Sequence, residues 1–369
     1  MIRIGLDAHM VGSHETGNET YIVGLLDGLS RLASDFEVEV FHAGELSRLD
    51  SDHLRPRKLL SRSPWLRLSL DLPYQSWRAG LDVLHVTYAA PIWSPCPIVL
   101  TVHDITFATN PEWFSGRDIG VLSRVVPWSM RRAARVVTVS ETCRAQIIEH
   151  FGVAADRVVC IPNAAGPAAN AIDADAARKE IVALGLDPAR PYLLSVGNLQ
   201  PRKNLVRLIE AFRGLSAGGL DIDLVVVGAE HYRSGDVHDA AGEARDRIHF
   251  TGYVTDRQLA ACYSLATVFA LPSLFEGFGI PALEAMAHGV PVVCSRTGAL
   301  PEVCSDAALY FDPLDVESIS AAVSRAVTDR GLRADLVRKG HERAAQFSWR
   351  ESAERMLMTY RSAALERRE

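Results

Sequence analysis

The stretch from residue 267 to 302 constrains this chain most, because it holds two buried-strand signals with a short helix signal between them. Thr267 to Leu271 is an apolar run closed by Pro272, and Val290 to Cys294 is a second such run. Between them, Ala282 to His288 are mostly good helix formers. Pro281 suits the first helical turn and Gly289 suits the stop. The loop Glu276-Gly277-Phe278-Gly279 precedes that helix, and its glycines allow unusual backbone angles and close approach of a ligand. The amides near Gly279 and Ile280, with the helix N-terminus, form an anion site at the carboxyl end of a strand. Glu276 on the loop and Glu284 in the helix are better suited to accept hydroxyls than to bind phosphate, so sugar and ribose hydroxyls are their expected partners.

The 369 residues favour two domains, and a hydrophobic content of 48% with 23% charged residues describes a globular protein with material for two cores. A net charge of −6 gives no global attraction to nucleic acid, so no nucleic-acid partner is expected. The six cysteines are scattered without a Cys-x-x-Cys pair, and several fall in apolar runs, which reads as buried thiols of a cytosolic protein. The N-terminal Met-Ile-Arg-Ile-Gly-Leu-Asp reads as a strand rather than a signal peptide, and no apolar run reaches the length of a membrane span.

Along the chain, strands are expected over residues 2–7, 37–42, 83–87, 98–102, 135–139 and 157–161, with helical patterns between. Residues 8–17 read as a loop, with Asn18 as cap of the helix that carries Ile22, Leu25, Leu26 and Leu29. Residues 54–70 hold Arg55, Arg57, Lys58, Arg62 and Arg67 without an acid, interleaved with leucines and Trp65. That pattern suits either a solvated helix flank or contact with an anionic membrane surface. His103-Asp104 ends a strand at the carboxyl edge of a sheet, where doubly wound folds bind ligands, although Asp104 equally suits a local turn. A stretch rich in Ala, Asn, Gly and Pro near residues 163–175 marks a domain boundary.

The second half restarts with a strand over 192–196, followed by Gly197 to Asn204 and an amphipathic helix. Arg202 and Lys203 on that loop are placed to neutralise a diphosphate. Asp221 and Asp223 are spaced like a metal motif, but they lead into the amino end of a buried strand, the wrong edge for a ligand. No histidine cluster has metal-ligand spacing, so no metal site is expected. Ser348 and Glu351 predict a capping box for a final helix.

Phe-Glu-Gly-Phe-Gly-Ile-Pro-Ala-Leu-Glu-Ala-Met-Ala-His-Gly-Val-Pro-Val-Val resembles the signature of the family 4, group 1, retaining glycosyltransferases, with Glu276 and Glu284 at its Glu-x7-Glu spacing. Val-Gly-x-x-x-Pro-Arg-Lys-Asn, residues 196–204, resembles that family's donor-phosphate loop. The resemblance implies the GT-B fold, an α/β architecture of two doubly wound Rossmann-like domains facing each other across a cleft. Residues 1–165 would form the acceptor domain and 175–345 the nucleotide-sugar domain, with 348–369 a terminal helix crossing back to the first. It further implies retaining hexosyl transfer from a nucleoside-diphosphate sugar, without metal or other cofactor. Arg202, Lys203, Glu276 and His103 would be catalytic. Gly17, Gly277, Phe278, Gly279, Ile280 and Glu284 would join the first three of these in holding the donor. Gly17 alone is carried over from the first glycine loop, because Glu19 and Thr20 depart from the family pattern. The start of the chain is similar to bacterial mannosyltransferases of polysaccharide assembly. GDP-mannose is therefore the first donor expected, ahead of UDP- or ADP-glucose. The acceptor would be a glycan or lipid-linked glycan, and the location cytoplasmic or peripheral at the inner membrane face. A nucleotide-sugar epimerase or hydrolase, and a non-catalytic nucleotide-sugar-binding subunit, are the alternatives on the same scaffold.

Overall fold

Successive residues of the first strands point into two different cores, which is what a sheet covered on both faces requires. In the computed structural model, which describes residues 1–12, 16–33, 35–44, 51–61 and 63–366, this arrangement occurs twice. One unit comprises residues 1–163 with 348–369, and the other residues 164–347.

The first unit is a parallel sheet in the order β3-β2-β1-β4-β5-β6-β7. Its strands are β1 (Ile2–Asp7), β2 (Phe36–His42), β3 (Leu54–Lys58), β4 (Val83–Thr87), β5 (Ile98–Thr101), β6 (Arg135–Thr138) and β7 (Val158–Cys160). Ile4, Leu6, Val38, Val83, Val99 and Val137 pack with the helix Thr16–Ser30 on one face. Leu84, Leu100 and Val136 alternate with them and pack on the other face beside Leu72, Val126 and Ile147. The terminal helix Trp349–Leu365 completes the first of these faces with Ala353, Met356, Tyr360 and Ala363.

Three local expectations change. The opening helix begins at Thr16, so Gly17 lies in its first turn rather than in a loop, and Asn18 is inside the helix rather than its cap. Ser348 occupies the cap of the terminal helix but its side chain caps nothing, and it accepts no bond of the expected box. A complete capping box stands instead at Thr255 and Gln258, before the helix Asp256–Leu265. Residues 54–58 are an edge strand rather than a helix flank, paired along β2 from Leu54 opposite Val38 to Lys58 opposite His42. Its polar sequence hid it, because an edge strand need bury little and tolerates Pro56.

The second unit repeats the architecture with order β10-β9-β8-β11-β12-β13, again all parallel. The strands are β8 (Tyr192–Val196), β9 (Asp223–Val227), β10 (Ile248–Gly252), β11 (Val268–Leu271), β12 (Val292–Ser295) and β13 (Ala308–Phe311). Leu208, Ile209 and Phe212 of the helix Leu205–Ala217 pack on this sheet with Val226, Ala270 and Val323. Asp223 opens β9, where its carboxylate is bound by Arg190, Arg247 and His249, so the Asp-x-Asp spacing serves an ion network.

The junction of the opening and terminal helices is glycine-dependent. A Cβ on Gly28 would lie 2.1 Å from the Trp349 carbonyl oxygen, and one on Gly24 would lie 2.1 Å from the Trp349 ring. A backbone atom cannot step aside as a side chain can. Gly28→Ala is therefore expected to lower unfolding stability by roughly 2–3 kcal/mol, the upper range for overpacking, measured by urea unfolding against the parent protein.

Candidate active site

Two loops at the carboxyl edge of the second sheet are joined by charge. After β8 the chain runs through Gly197 into a 3-10 turn, Pro201–Lys203, and Asn204 then takes a left-handed conformation (φ 55°) before the helix Leu205–Ala217. After β11 it runs through Ser273 and Glu276 to Gly279 (φ 102°), which starts the helix Ile280–Ala287 with Pro281 in the first turn. No side chain caps that helix start. The Leu274 amide donates to the Arg202 carbonyl at 2.8 Å, and Asn204 Nδ2 donates to the Pro272 carbonyl at 3.0 Å, so the loops share a backbone scaffold.

Glu276 sits at the crossing. Its Oε1 accepts from Lys203 Nζ at 2.7 Å and from Ser273 Oγ at 2.5 Å. Its Oε2 accepts from Arg202 Nη1 at 3.1 Å, and the same Arg202 nitrogen donates to the Phe275 carbonyl at 2.8 Å. Burial alone would raise this carboxyl. Lys203 and Arg202, with the hydrogen bonds from Lys203 and Ser273, outweigh burial and hold it at about 2. A carboxylate offers about four lone-pair positions. Oε1 already accepts two donors and Oε2 one, which leaves the outer oxygen room for one more.

Gly298 is also part of this construction. Its φ is 56°, and a Cβ there would lie 2.6 Å from the Glu276 carbonyl oxygen and 2.9 Å from the Glu276 nitrogen. The Ala299 amide donates to that same carbonyl at 2.9 Å. Gly279 is equally constrained, since a Cβ would meet Leu300 at 2.7 Å. Phe278 is buried edge-on against Phe347, with ring centroids 5.6 Å apart, so it anchors the glycine loop.

Glu284 occupies a different environment. Its Oε2 accepts from the Tyr263 hydroxyl at 2.9 Å and its Oε1 from the Gly166 amide at 3.2 Å. Burial pushes its carboxyl up to about 7, against the pull of those two bonds. The two acids of the signature therefore differ: Glu276 is a fixed anion, and Glu284 is poised to carry a proton near neutrality. Among the described residues no cluster of His, Cys, Asp or Glu is arranged to hold a metal ion.

The remaining site candidates lie in the first unit. His103 follows β5, and its Nε2 is buried without a hydrogen-bond partner. Its ring packs edge-on to Tyr21 at 4.7 Å and lies 5.8 Å from Tyr88, a non-glycine residue at φ 58°. Burial lowers the imidazole to about 4, Asp104 opposing, so the ring is neutral at pH 7. Asp104 takes the local role: its Oδ1 accepts from the Thr106 amide at 3.0 Å and from the Thr106 hydroxyl at 2.6 Å. Gly17 is exposed, with nothing within 4 Å of a Cβ, and Glu19 reaches back to accept from the Gly12 amide at 2.7 Å.

Two buried networks beneath these residues left no sequence signal. His85 is hydrogen-bonded to the Tyr360 hydroxyl at 2.6 Å and to Thr101 Oγ1 at 2.7 Å, and Thr101 Oγ1 also meets the Tyr21 hydroxyl at 2.9 Å. Asp7 binds Arg67 and, at 3.0 Å, His9; burial would raise its carboxyl, but Arg67 and His9 hold it at about 2. Arg67 thus faces inward. Arg55 pairs with Glu37 and Arg57 with Glu39 along the edge strand. Three of the five cations of 54–70 are therefore engaged within the protein, and Arg62 lies outside the described residues.

Residues 177–343 match the family model described as Glycosyl transferases group 1, and residues 16–167 match Glycosyltransferase Family 4. O-antigen chain mannosyltransferase B of Escherichia coli is 33% identical over 371 residues, covering 94% of this chain and 96% of its own length. Among solved structures, sucrose-phosphate synthase from Thermosynechococcus elongatus aligns with a TM-score of 0.76 at 22% identity, over 98% of both chains. Anabaena Alr3699/HepE, solved in complex with UDP-glucose, aligns at 0.75 and 19% identity, over 98% of this chain and 100% of its own. These two likenesses concern the fold.

The state of Glu284 makes a signed prediction. Its pKa is raised on folding from 4.5 to about 7, so its contribution to stability is present below pH 4.5 and is lost as pH rises through about 7. Glu284→Gln imitates the protonated form and removes that loss. The variant is expected to gain stability relative to the parent between pH 4.5 and 7, by an amount on the order of 3 kcal/mol, read as the difference in chemical unfolding free energy across pH.

Proposed function

The chain belongs to the group 1, family 4 glycosyltransferases and has the GT-B fold, and from that premise we propose that it moves mannose from a nucleoside-diphosphate donor to a hydroxyl of a growing glycan. The observation that carries this reading is the pairing of Arg202 and Lys203 on the single buried carboxylate of Glu276. Both cations are held in place by one carboxylate, beside a helix start. A departing diphosphate is the natural occupant of such a place.

In the proposed reaction the bond from the anomeric carbon to the diphosphate oxygen breaks, and that oxygen takes the electron pair. Arg202, Lys203 and the amides at Gly279 and Ile280 meet the charge as it develops. They are already oriented, so they stabilise the transition state more than the ground state. The acceptor oxygen bonds to the anomeric carbon from the same face, and its proton passes to a donor phosphate oxygen. This route gives retention without a nucleophile on the far face of the sugar, a role for which no residue is assigned. Glu276 Oε2, with its remaining acceptor position, takes a hydroxyl of the transferred sugar. Glu284 takes the ribose hydroxyls, and the neutral His103 takes a further sugar hydroxyl. The two fixed cations supply the charge that would otherwise call for a divalent ion, so the reaction is assigned as metal-independent.

The named relative supports mannose as the sugar and an O-antigen-like polysaccharide as the product class. We assign GDP-mannose as donor and a lipid-linked glycan as acceptor, which would place the enzyme at the inner face of the membrane that carries it.

Arg202→Ala and Lys203→Ala are each expected to lower turnover with GDP-mannose and a mannose-terminated acceptor by roughly 10²–10³-fold, the loss typical of one fixed transition-state donor, measured below the melting temperature, which falls because the buried Glu276 keeps only one of its two cations. Near-normal turnover in either variant overturns the phosphate role. GDP-mannose should raise the melting temperature of the parent protein equally with and without EDTA. A shift by UDP-glucose or ADP-glucose alone reassigns the donor, and a shift abolished by EDTA overturns the metal-free reading.

A further inference from the structure

The first unit carries large apolar side chains on its surface in unusual density. Pro64–Leu66, the π-helical turn Arg67–Asp71 and the helix Leu72–Ala79 form one continuous helical run. Along it Trp65, Leu66, Leu70, Tyr74 and Trp77 all face outward, with Trp65 69% and Trp77 65% exposed. From Leu66 onward the spacing of three to four residues puts Leu66, Leu70, Tyr74 and Trp77 on one side of the run, with Trp65 next to Leu66 at its start. Two further exposed residues lie alongside, Ile92 and Trp93, since the Ile92 amide donates to the Leu68 carbonyl. The same loop reaches the helix Gly116–Arg132, where Ser129 Oγ accepts from the Ala90 amide at 2.9 Å. On that helix Arg117, Val121, Arg124, Trp128 and Arg131 are exposed at three- and four-residue intervals, forming a second stripe.

The charge of this face is one-sided. Between residues 54 and 81 the only acid is Asp71, which is buried and accepts from the Leu60 and Ser61 amides and from Gln75. Between 116 and 132 the only acid is Asp118, which accepts from Ser115. Outward cations remain in Arg78, Arg124 and Arg131, in a chain whose net charge is −6. No helix among the described residues is long and apolar enough to cross a membrane.

We propose that this face docks the first unit on an anionic lipid bilayer, with Trp65, Leu70 and Trp77 entering the headgroup layer and Arg78, Arg124 and Arg131 meeting lipid phosphates. Indole and phenol rings combine an apolar body with a polar edge, which suits the headgroup depth better than a dry protein interface. Neighbouring guanidinium groups repel a second copy of the same face and attract an anionic surface. This surface keeps Trp65, Leu66 and Leu70 of the segment 54–70 but not its cations: Arg55, Arg57 and Arg67 are turned to internal partners, and Arg78 with the helix Gly116–Arg132 supplies the charge instead. The inference goes beyond the assignment of the reaction, because lipid binding here does not depend on which sugar is moved.

The test is co-sedimentation of the full chain with vesicles of phosphatidylcholine alone and of equal parts phosphatidylcholine and phosphatidylglycerol, at low and high salt. Binding to the anionic vesicles, weakened by salt, is expected. Trp65→Ser with Trp77→Ser, and separately Arg124→Ala with Arg131→Ala, should each weaken it by roughly tenfold or more. Both pairs are exposed, and an unchanged melting temperature would show that the fold is intact. Anionic-vesicle binding that neither pair of substitutions alters overturns the assignment of this face. No binding to either vesicle overturns the proposal itself, as does a dimer in light scattering that the tryptophan pair dissociates.

Discussion

Glu276 is the point on which the second unit's chemistry depends. A carboxylate taken out of water is costly, and so are the partly buried Arg202 and Lys203 beside it. Each makes the others tolerable, because the geometry is close and the hydrogen bonds are nearly complete. The same mutual dependence fixes positions. Arg202 and Lys203 come from the loop after β8 and Glu276 from the loop after β11, so the ion cluster sets the distance between two strand ends. Gly298 and Ala299 then clamp the Glu276 backbone from a third loop. An anion arriving there meets charges that need no rearrangement, and that readiness is where electrostatic catalysis gets its magnitude.

The first unit solves a related problem with neutral groups. His85, Thr101, Tyr21 and Tyr360 form a buried hydrogen-bonded chain, and burial lowers the His85 imidazole to about 3, which keeps it uncharged. His103 packs against Tyr21, the outer member of that chain. A polar network closed in this way holds its neighbours in one arrangement, because a half-made network in low dielectric is expensive. Asp104, adjacent to His103, is spent on the turn that follows, and its charge only partly offsets the burial that keeps the ring neutral.

Much of this was legible in the sequence, and the reasons for success and failure are physical. Buried parallel strands such as β4, β5, β8 and β11 are nearly continuous apolar runs, and a reader of hydrophobicity finds them. The glycine loops and the Arg202-Lys203 pair stand out because they break local rules right after a strand. The edge strand β3 was missed because Leu-Arg-Pro-Arg-Lys has neither periodicity nor apolar content, and its pairing comes from β2 acids some eighteen residues away. The His85–Tyr360 bond spans 275 residues, and no local pattern announces such a contact. Glu276 and Glu284 look alike as letters, and only burial with partners separates a strong acid from one that titrates near neutrality.

The terminal helix has a consequence for the order of assembly. Residues 349–365 supply part of the first unit's core, while everything between residues 164 and 347 belongs to the other unit. During synthesis, therefore, the unit whose strands emerge earliest must wait with one apolar face uncovered. Domains usually fold as they leave the ribosome, amino-terminal first. Here the later unit can finish before the earlier one, and the helix Trp349–Leu365, which emerges after it, completes a core that was begun by the first strands.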